Sequence, residues 1–372
     1  MKKTLRILAL LLTAALCLGM FASCGGPGVE DPIEAADLPS DRTPPDPNGV
    51  LADEGAKIAL LLCSAGMRSA SARALWTVTE TFAKENGIAE SRLDWYMLPT
   101  PADIEKQLDE ILAKGYRVVV NNNGLLNDYI KSRAKDFPDV RFVALEGWFA
   151  PKGTLLDPAE YANLTQGTVR AEESAFIAGY LLAGATKTAK IGLLNGTPNP
   201  PGFQMEAGFR AGVAYAEQTL QKTVEIKTEY VGNGFDRTGG KNGAAALYNS
   251  GCDILYLCAG GETDWGALET AAERGKPVVT AGHTSYLAPG SVVGEVLKSK
   301  DPVIKGIFEA LLQGEQVQGV QNHGLTDGTT GFKPTALSEE FFGKDLLLKL
   351  DDVVKEIKSG AIAIPQDLTE AG

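Results

Sequence analysis

Histidine and cysteine are scarce in this chain, and their scarcity excludes several kinds of site. The 372 residues contain two histidines, His283 and His323, and neither lies within the short metal-ligand spacing of another histidine or cysteine. There are five cysteines but no Cys-x-x-Cys pair, and the three that follow residue 24 cannot all be joined in disulfides. We therefore expect neither a metal site nor a disulfide framework.

Catalytic and nucleotide-binding motifs are also missing. The sequence has no Gly-x-Ser-x-Gly elbow and no Gly-x-x-x-x-Gly-Lys-Ser/Thr phosphate loop. The pair Gly260-Gly261 alone is too weak a signal to indicate a nucleotide cofactor. These absences favour a binding protein without a cofactor over an enzyme. A hydrolase on an α/β scaffold is the alternative from another class.

Positive charge is in deficit. The 35 lysines and arginines are outnumbered by 47 aspartates and glutamates, which gives a net charge of −12. A surface of this sign disfavours nucleic acid and anionic lipid headgroups as partners. Beyond the first 23 residues, no stretch is long and apolar enough to span a bilayer. Any attachment to a membrane must therefore come from the N-terminus.

The first 24 residues have the pattern of a lipoprotein signal. Lys2, Lys3 and Arg6 precede an apolar stretch, 7–20, that is too short for a membrane span. Small residues then lead to Cys24, as in a bacterial lipobox, where the thiol is acylated and the chain is cut before it. We expect 1–23 to be removed and Cys24 to anchor the protein outside the cytoplasmic membrane. An ordinary signal peptide with an incidental cysteine is the alternative.

The segment after the anchor has the composition of a linker. Residues 24–56 are rich in proline, aspartate and glycine and contain few large apolar side chains. Such a segment cannot bury a core. It is predicted to be a flexible tether to a folded region that begins at Lys57.

From Lys57 onward, short apolar runs alternate with amphipathic stretches, which is typical of parallel sheets covered by helices. The pattern breaks near 163–166 and starts again, so we expect two Rossmann-like α/β lobes with a cleft between them. The first lobe is predicted to comprise 57–166 and 286–320, and the second 167–285 and 321–372. We predict that the chain crosses from one lobe to the other at Gln166-Gly167, around Gly282 and near Gly319.

Three segments carry a family resemblance. They are 171–180 (AEESAFIAGY), 186–192 (TKTAKIG) and 205–212 (MEAGFRAG). In order and spacing they resemble the basic membrane protein (BMP) family, PnrA-like lipoproteins that deliver purine nucleosides to ABC importers. The resemblance implies a type I periplasmic-binding-protein fold that closes on its ligand, with a permease and an ATPase as partners.

Most residues that recognise the nucleoside in this family are replaced. The resemblance places Arg68 where the first loop usually has Asp, and Ser71 where it has a stacking Phe. Met205 stands at the position of a second stacking aromatic residue. The loop that usually carries a ribose-binding Asp contains His283 instead.

Other positions retain suitable polar chemistry. Lys298 of the sugar-contacting set is retained, and Glu146 occupies the site of another family Asp. Asn121, Asn122 and Asn123 follow each other at the end of a predicted strand, where they offer both donors and acceptors. Local turn formation is the alternative interpretation of these asparagines.

Aromatic side chains elsewhere could restore stacking on a flat ligand. Trp148, Phe149, Phe203 and Trp265 lie in loops predicted to face the cleft, although each could instead anchor its loop. Arg68 precedes a helix start, so an anionic group there would meet a guanidinium and a helix N-terminus. A solvated surface arginine is the alternative.

We therefore expect a monomeric ABC-importer subunit that binds a nucleoside-like small molecule, with specificity altered from plain purine nucleosides. The predicted ligand site also includes Gly260 and Gly261. A lipid-anchored sensor that signals to a membrane partner is the second alternative. A neighbouring pair of permease and ATPase genes would distinguish import from sensing.

Overall fold

Two six-stranded sheets form the framework of the protein. The computed structural model describes residues 49–62, 66–68, 70–98, 104–145, 156–157, 159–282, 285–315 and 317–368. The elements are β1 Ile58–Leu62, α1 Ala70–Glu85, β2 Leu93–Met97, α2 Ile104–Leu112, β3 Val118–Asn122, α3 Asn127–Ala134, β4 Arg141–Leu145, β5 Leu164–Val169, α4 Ala171–Ala185, β6 Lys190–Asn195, α5 Pro200–Leu220, β7 Glu225–Tyr230, α6 Arg237–Asn249, β8 Ile254–Cys258, α7 Gly261–Glu273, β9 Val278–Ala281, β10 Val292–Lys298, α8 Asp301–Leu312, β11 Gly319–His323, β12 Thr330–Pro334, α9 Ser338–Phe342 and α10 Lys344–Ser359.

The two sheets have equivalent strand orders. The first sheet runs β11-β5-β4-β3-β1-β2, and the second runs β12-β10-β9-β8-β6-β7. Neighbouring strands are parallel except β10 and β12, which are antiparallel. The carboxyl ends of the parallel strands therefore lie along one edge of each sheet, which we call the carboxyl edge. The predicted α/β class with two parallel sheets is confirmed.

Helices alternate with strands through most of the chain, as the amphipathic pattern predicts. α5 begins at Pro200 because Asn199 Oδ1 accepts a hydrogen bond from the Gly202 N–H at 3.0 Å. Prolines in the first turn cost no helical hydrogen bond. The alternating pattern does not predict β2, β5, β10, β11 or β12, whose sequences mix polar residues or glycine with apolar ones.

The chain passes between the sheets three times, always at the carboxyl edges. The first crossing is Arg170, between β5 and α4. The second crossing is 299–300, between β10 and α8, and the third is 324–329, between β11 and β12. The predicted crossings at Gln166-Gly167 and Gly319 fall within β5 and at the start of β11.

The second crossing differs from the one predicted at Gly282. After β9 the chain stays in the second sheet, because β10 pairs with β9 in parallel and Val292 lies opposite Val278. The chain was predicted to return to the first lobe at residue 286, but it returns only at α8. Ile304 and Phe308 of α8 are buried in the first sheet's core.

Residues 49–56 pack on the first sheet, so the predicted tether is wrong for this part of 24–56. Val50 and Leu51 are buried in the same core as α8. Arg92 donates from Nε to the Ala56 carbonyl at 2.5 Å and from Nη2 to the Asp53 carbonyl at 2.6 Å. Two adjacent apolar residues among polar ones give no periodic signal, which is why the sequence pattern misses this contact. Residues 24–48 lie outside the described residues.

Helices α4 and α5 pack backbone to backbone because glycines stand at their contact. A Cβ atom at Gly208 would collide with the Glu172 carbonyl, and one at Gly212 would collide with the Phe176 carbonyl. Gly179 lies against α5 in the same way. The segments 171–180 and 205–212, which carry the family resemblance, therefore act in packing.

The segment 186–192 is structural as well. The Asp253 carboxylate accepts hydrogen bonds from the Thr186 hydroxyl at 2.7 Å and from the Lys187 N–H at 2.6 Å. The same carboxylate accepts from the Thr188 N–H at 3.2 Å. These bonds fix the turn that leads from α4 into β6.

The first turn of α4 ties the first crossing to the third. The buried Glu173 carboxylate accepts through Oε2 from the Leu325 N–H and the Thr330 hydroxyl, both at 2.7 Å. Its Oε1 lies 2.9 Å from Nη1 of Arg170. A carboxylate at a helix N-terminus also interacts favourably with the helix dipole.

Neighbouring residues of this turn contact β10, α5 and the C-terminal segment of the chain. The Ser174 hydroxyl donates to the Leu297 carbonyl, one residue before the end of β10 and the second crossing. The fully buried Glu172 accepts from Gln204 Nε2 of α5 at 2.6 Å and from Gln366 Nε2 at 3.4 Å. One helical turn thus contacts segments next to all three crossings.

We predict that Glu173→Gln destabilises the protein by about 2–3 kcal/mol. The substitution removes the buried negative charge and replaces one accepting oxygen by an NH₂ group, which then faces the donors that the carboxylate had bound. Urea unfolding measures this change. Glu160→Gln is the matched control, because Glu160 forms an exposed pair with Lys135 and exposed pairs contribute little. Equal midpoints for Glu173→Gln and Glu160→Gln would contradict the role assigned to Glu173.

Candidate functional site

The three asparagines at the end of β3 have different surroundings. Asn121 is fully buried and donates from Nδ2 to the Asn123 carbonyl at 2.9 Å and to Asn127 Oδ1 at 2.8 Å. Its Oδ1 accepts from the Asn123 N–H at 3.0 Å. These bonds close the turn and favour the turn-forming interpretation of Asn121 and Asn123. Asn122 instead accepts through Oδ1 from Lys300 Nζ at 2.7 Å.

Two lysines lie at the second crossing. Lys300 lies in the crossing itself, and its bond to Asn122 reaches the end of β3 in the first sheet. Lys298 ends β10 and is half-buried. Burial raises the pKa of the Cys258 thiol at the end of β8, and the nearby Asp264 raises it further. The positive charge of Lys298 lowers the same pKa. Lys298 therefore lies near the ends of the second sheet's central strands.

Asp264 shapes the loop that follows β8. Its buried carboxylate accepts hydrogen bonds from the Ala259 N–H at 3.0 Å and the Gly260 N–H at 2.9 Å. Burial raises the pKa of Asp264 to about 7, against the effect of these two donors. Gly260 has φ +85° and open space where a Cβ atom would stand. Gly261 has φ +48°, and a Cβ there would lie 2.6 Å from the Gly234 carbonyl oxygen, so only glycine fits.

The loop after β7 lies against the loop after β8 and presents an aromatic residue. The buried Thr263 hydroxyl donates to the Asn233 carbonyl at 2.9 Å and accepts from the Asp236 N–H at 3.0 Å. Between these contacts the Phe235 side chain is 68% exposed. The sequence reasoning above misses Phe235. An aromatic residue directly after a glycine-rich turn at the end of a strand is the signal that identifies it.

Phe203 and Met205 occupy different environments at the start of α5. Phe203 is half-buried, with its ring edge-to-face against Tyr230 at a centroid distance of 6.4 Å. The Tyr230 hydroxyl donates to Glu206 Oε2, and burial together with this bond raises the pKa of Tyr230. Met205 is only 7% exposed and packs in the core of the second sheet, beside Phe209. This packing favours a core role for Met205.

The remaining predicted site residues are placed as follows. Trp265 is half-buried in the first turns of α7. Arg68 ends a short 3₁₀ turn, Gly66–Arg68, between β1 and α1. Glu146, Trp148, Phe149 and His283, together with the predicted lipidation site Cys24, lie outside the described residues. Tyr286, which lies close after the undescribed residues 283–284, is 68% exposed. It is a further aromatic residue that the sequence pattern does not single out.

Two grooves, of about 480 and 720 Å³, are lined in part by Lys344 at the start of α10. The smaller groove also reaches the third crossing, where Leu325 and Gly328 line it. Within the described ranges, no three His, Cys, Asp or Glu side chains are grouped so as to hold a metal ion. No helix in the same part of the chain is long and apolar enough to cross a bilayer.

Comparisons with known proteins identify the family. A family model described as ABC transporter substrate-binding protein PnrA-like matches residues 68–367. Basic membrane protein A of Borreliella burgdorferi is 29% identical over 297 residues, which cover 78% of this chain and 80% of that protein. The ABC transporter nucleoside-binding protein BmpA of Lactococcus lactis subsp. cremoris is 28% identical over 187 residues, about 50% of each protein.

A solved structure supports the fold. The crystal structure of an ABC transporter system solute-binding protein from Aeropyrum pernix K1 matches with a TM-score of 0.70, covering 85% of this chain and 95% of that chain. At 20% identity this likeness shows the fold alone. The family match covers most of the chain and confirms the resemblance carried by 171–180, 186–192 and 205–212. This chain belongs to the PnrA-like, basic membrane protein family of ABC transporter substrate-binding proteins.

Proposed function

We propose that this protein is the lipid-anchored, extracytoplasmic binding subunit of an ABC importer and that it takes up a nucleoside-like solute between the carboxyl edges of its two sheets. The observation that carries the proposal is the family match over 68–367, combined with aromatic and polar groups at the ends of β3, β7, β8 and β10. A relative described as nucleoside-binding supports the ligand class.

The described residues supply the two kinds of contact that a nucleoside needs. A flat base binds between aromatic faces. Phe235 lies in the loop after β7, Phe203 in the first turn of α5, and Trp265 in the first turns of α7. Ribose hydroxyls need donors and acceptors, which Asn122 and Lys298 offer at the ends of β3 and β10. The exposed backbone of Gly260 leaves room for a close approach.

The ligand differs from a plain purine nucleoside in this proposal. Arg68, Met205 and His283 replace family residues that contact the base and the ribose, and the core packing of Met205 provides no stacking face. Losing a charged hydrogen bond in a buried site costs about 1.5–3 kcal/mol. Several such losses require either replacement contacts, such as Phe235, or a modified ligand.

Binding is coupled to closure of the two sheet units about the three crossings. A hinge needs segments that change backbone angles without breaking a core. The crossings are short, and they are attached on one side to the rigid first turn of α4. Ligand contacts from both carboxyl edges then favour the closed arrangement.

We predict that calorimetry detects a nucleoside-like ligand and that Phe235→Ala weakens its binding about 10-fold or more, because stacking on an aromatic ring contributes about 1–3 kcal/mol per base. Inosine, guanosine, adenosine and uridine are the test ligands, together with any small molecule that mass spectrometry finds in the purified protein. Leu348→Ala is the matched control, since Leu348 is 54% exposed on α10.

Two results would count against parts of this proposal. Tight binding of an ordinary purine nucleoside that is unaffected by Arg68→Ala and Phe235→Ala would rule out altered specificity and leave the plain family function. No binding of any nucleoside, with an unrelated solute co-purified, would rule out the nucleoside-like class.

We predict that saturating ligand lowers the radius of gyration in small-angle scattering, because closure brings the carboxyl edges together. The ligand-free wild-type protein at the same protein concentration is the control. An unchanged profile for the liganded wild-type protein would contradict a hinge.

We predict that Cys24→Ser releases the protein from membranes, because the acyl chains are its strong membrane signal and its net charge is negative. The measurement is the membrane-bound fraction after a salt wash, with incorporation of labelled fatty acid. Cys17→Ser, within the apolar stretch, is the matched control and should stay anchored. Retention of the Cys24→Ser protein in washed membranes would contradict lipidation at this residue.

A further inference from the structure

The first turn of α5 holds the backbone of Phe203 in one place at the carboxyl edge of the second sheet. The Phe203 N–H donates to the Asn199 carbonyl at 2.8 Å. The buried Asn195, which ends β6, donates from Nδ2 to the Gly202 carbonyl at 2.9 Å, and its Oδ1 accepts from the Gly196 N–H at 2.8 Å. Because the end of the strand and the start of the helix are bonded to each other, only the χ angles of Phe203 are left to decide where its ring lies.

Tyr230 limits those χ angles from the neighbouring strand. It ends β7 and lies opposite Asn195 in the parallel pairing of β6 with β7. Its ring contacts that of Phe203 edge-to-face, with 6.4 Å between the centroids and 73° between the planes. This geometry sets the positive edge of one ring against the negative face of the other, which is a favourable arrangement for aromatic pairs. Phe203 stays half-buried, so the pair leaves part of its ring accessible.

The Tyr230 ring is itself fixed at its far end. Its hydroxyl donates to Oε2 of Glu206, which lies about one turn further along α5 than Phe203 and is only 4% exposed. The other carboxylate oxygen accepts from Arg210 Nε at 2.8 Å and from the Thr228 hydroxyl at 3.3 Å. Burial and the bond to Glu206 raise the pKa of Tyr230, so the phenol keeps its proton and donates at neutral pH. A buried acceptor that is satisfied by several donors gives Tyr230 one defined position.

This network supports a residue that the family resemblance does not assign to the site. The resemblance gives the stacking position to Met205, whose side chain packs in the core of the second sheet. Residues two positions apart do not share a helix face, so Phe203 projects from a different side of α5. An aromatic ring at position 203 rather than 205 needs its own support, and Tyr230 provides it.

We propose that Tyr230 is a positioning residue of the ligand site: fixed by Glu206, it holds the Phe203 ring in the orientation that stacks on the flat ring of the solute. This inference rests on the proposed function and names the residue that makes one of its stacking contacts rigid. A ring that is fixed before binding loses less conformational freedom when the ligand arrives, which raises affinity without a further ligand contact. Since Tyr230 acts only through Phe203, its contribution must vanish when the Phe203 ring is removed.

The test is a double-mutant cycle, measured by calorimetry on the purified full-length protein. The probe is the nucleoside that the wild-type protein binds most tightly among inosine, guanosine, adenosine and uridine. Tyr230→Leu should weaken binding about 3- to 10-fold, the effect of losing one edge-to-face ring pair. Tyr230→Phe, which keeps the ring but not the bond to Glu206, should keep part of the affinity. In the Phe203→Ala background, Tyr230→Leu should change the affinity less than about 2-fold.

Tyr248→Leu is the matched control. Tyr248 is also a buried tyrosine beside the second sheet, but its hydroxyl donates to the Pro277 carbonyl at 3.4 Å. Pro277 directly precedes β9, so this contact lies at the edge opposite the carboxyl edge. The control substitution should lower the thermal midpoint without changing the affinity. Thermal midpoints identify the folded variants, and Tyr230→Phe takes the place of Tyr230→Leu in the cycle if the leucine variant does not fold.

Two results overturn this inference and leave the proposed function intact. They are wild-type affinity in Tyr230→Leu, and an equal loss of affinity with and without the Phe203 ring. An equal loss in Tyr230→Leu and Tyr248→Leu also overturns it, because the effect then follows from stability rather than from the orientation of the ring. If no nucleoside binds, the nucleoside-like ligand class is wrong and this inference falls with it.

Discussion

The architecture depends on one buried carboxylate, that of Glu173 at the start of α4. A chain that passes three times between two sheets must hold its three crossings in fixed positions relative to one another. The contacts that do so join residues from distant parts of the sequence. Glu173 binds Arg170 in the first crossing and Leu325 and Thr330 around the third. Its neighbour Ser174 bonds the strand that enters the second crossing. Because these partners share one helical turn, any hinge motion must pivot about it rather than pull it apart.

The segments that carry the family resemblance are the ones that build this frame. Gly208 and Gly212 let α5 approach the backbone of α4 so closely that any side chain would collide, and Asp253 bonds the turn entered through Thr186 and Lys187. None of these contacts involves a carboxyl-edge loop. Family membership is therefore compatible with the proposed change in ligand recognition. Gly208 and Gly212 fix the contact between α4 and α5, whereas the proposed ligand residue on α5, Phe203, lies in its first turn.

The sequence predicts the α/β class, most helices and the buried strands, because each depends on local periodicity. It does not predict contacts made over long sequence distances. Val50 and Leu51 lie in a polar segment, and only their burial against α8 reveals that they belong to the first sheet's core. β10 contains a glycine and a glutamate, and its pairing with β9 moves the second crossing. Asn121 and Asn123 look like ligand donors in the sequence but close a turn, whereas Phe235 carries no periodic signal.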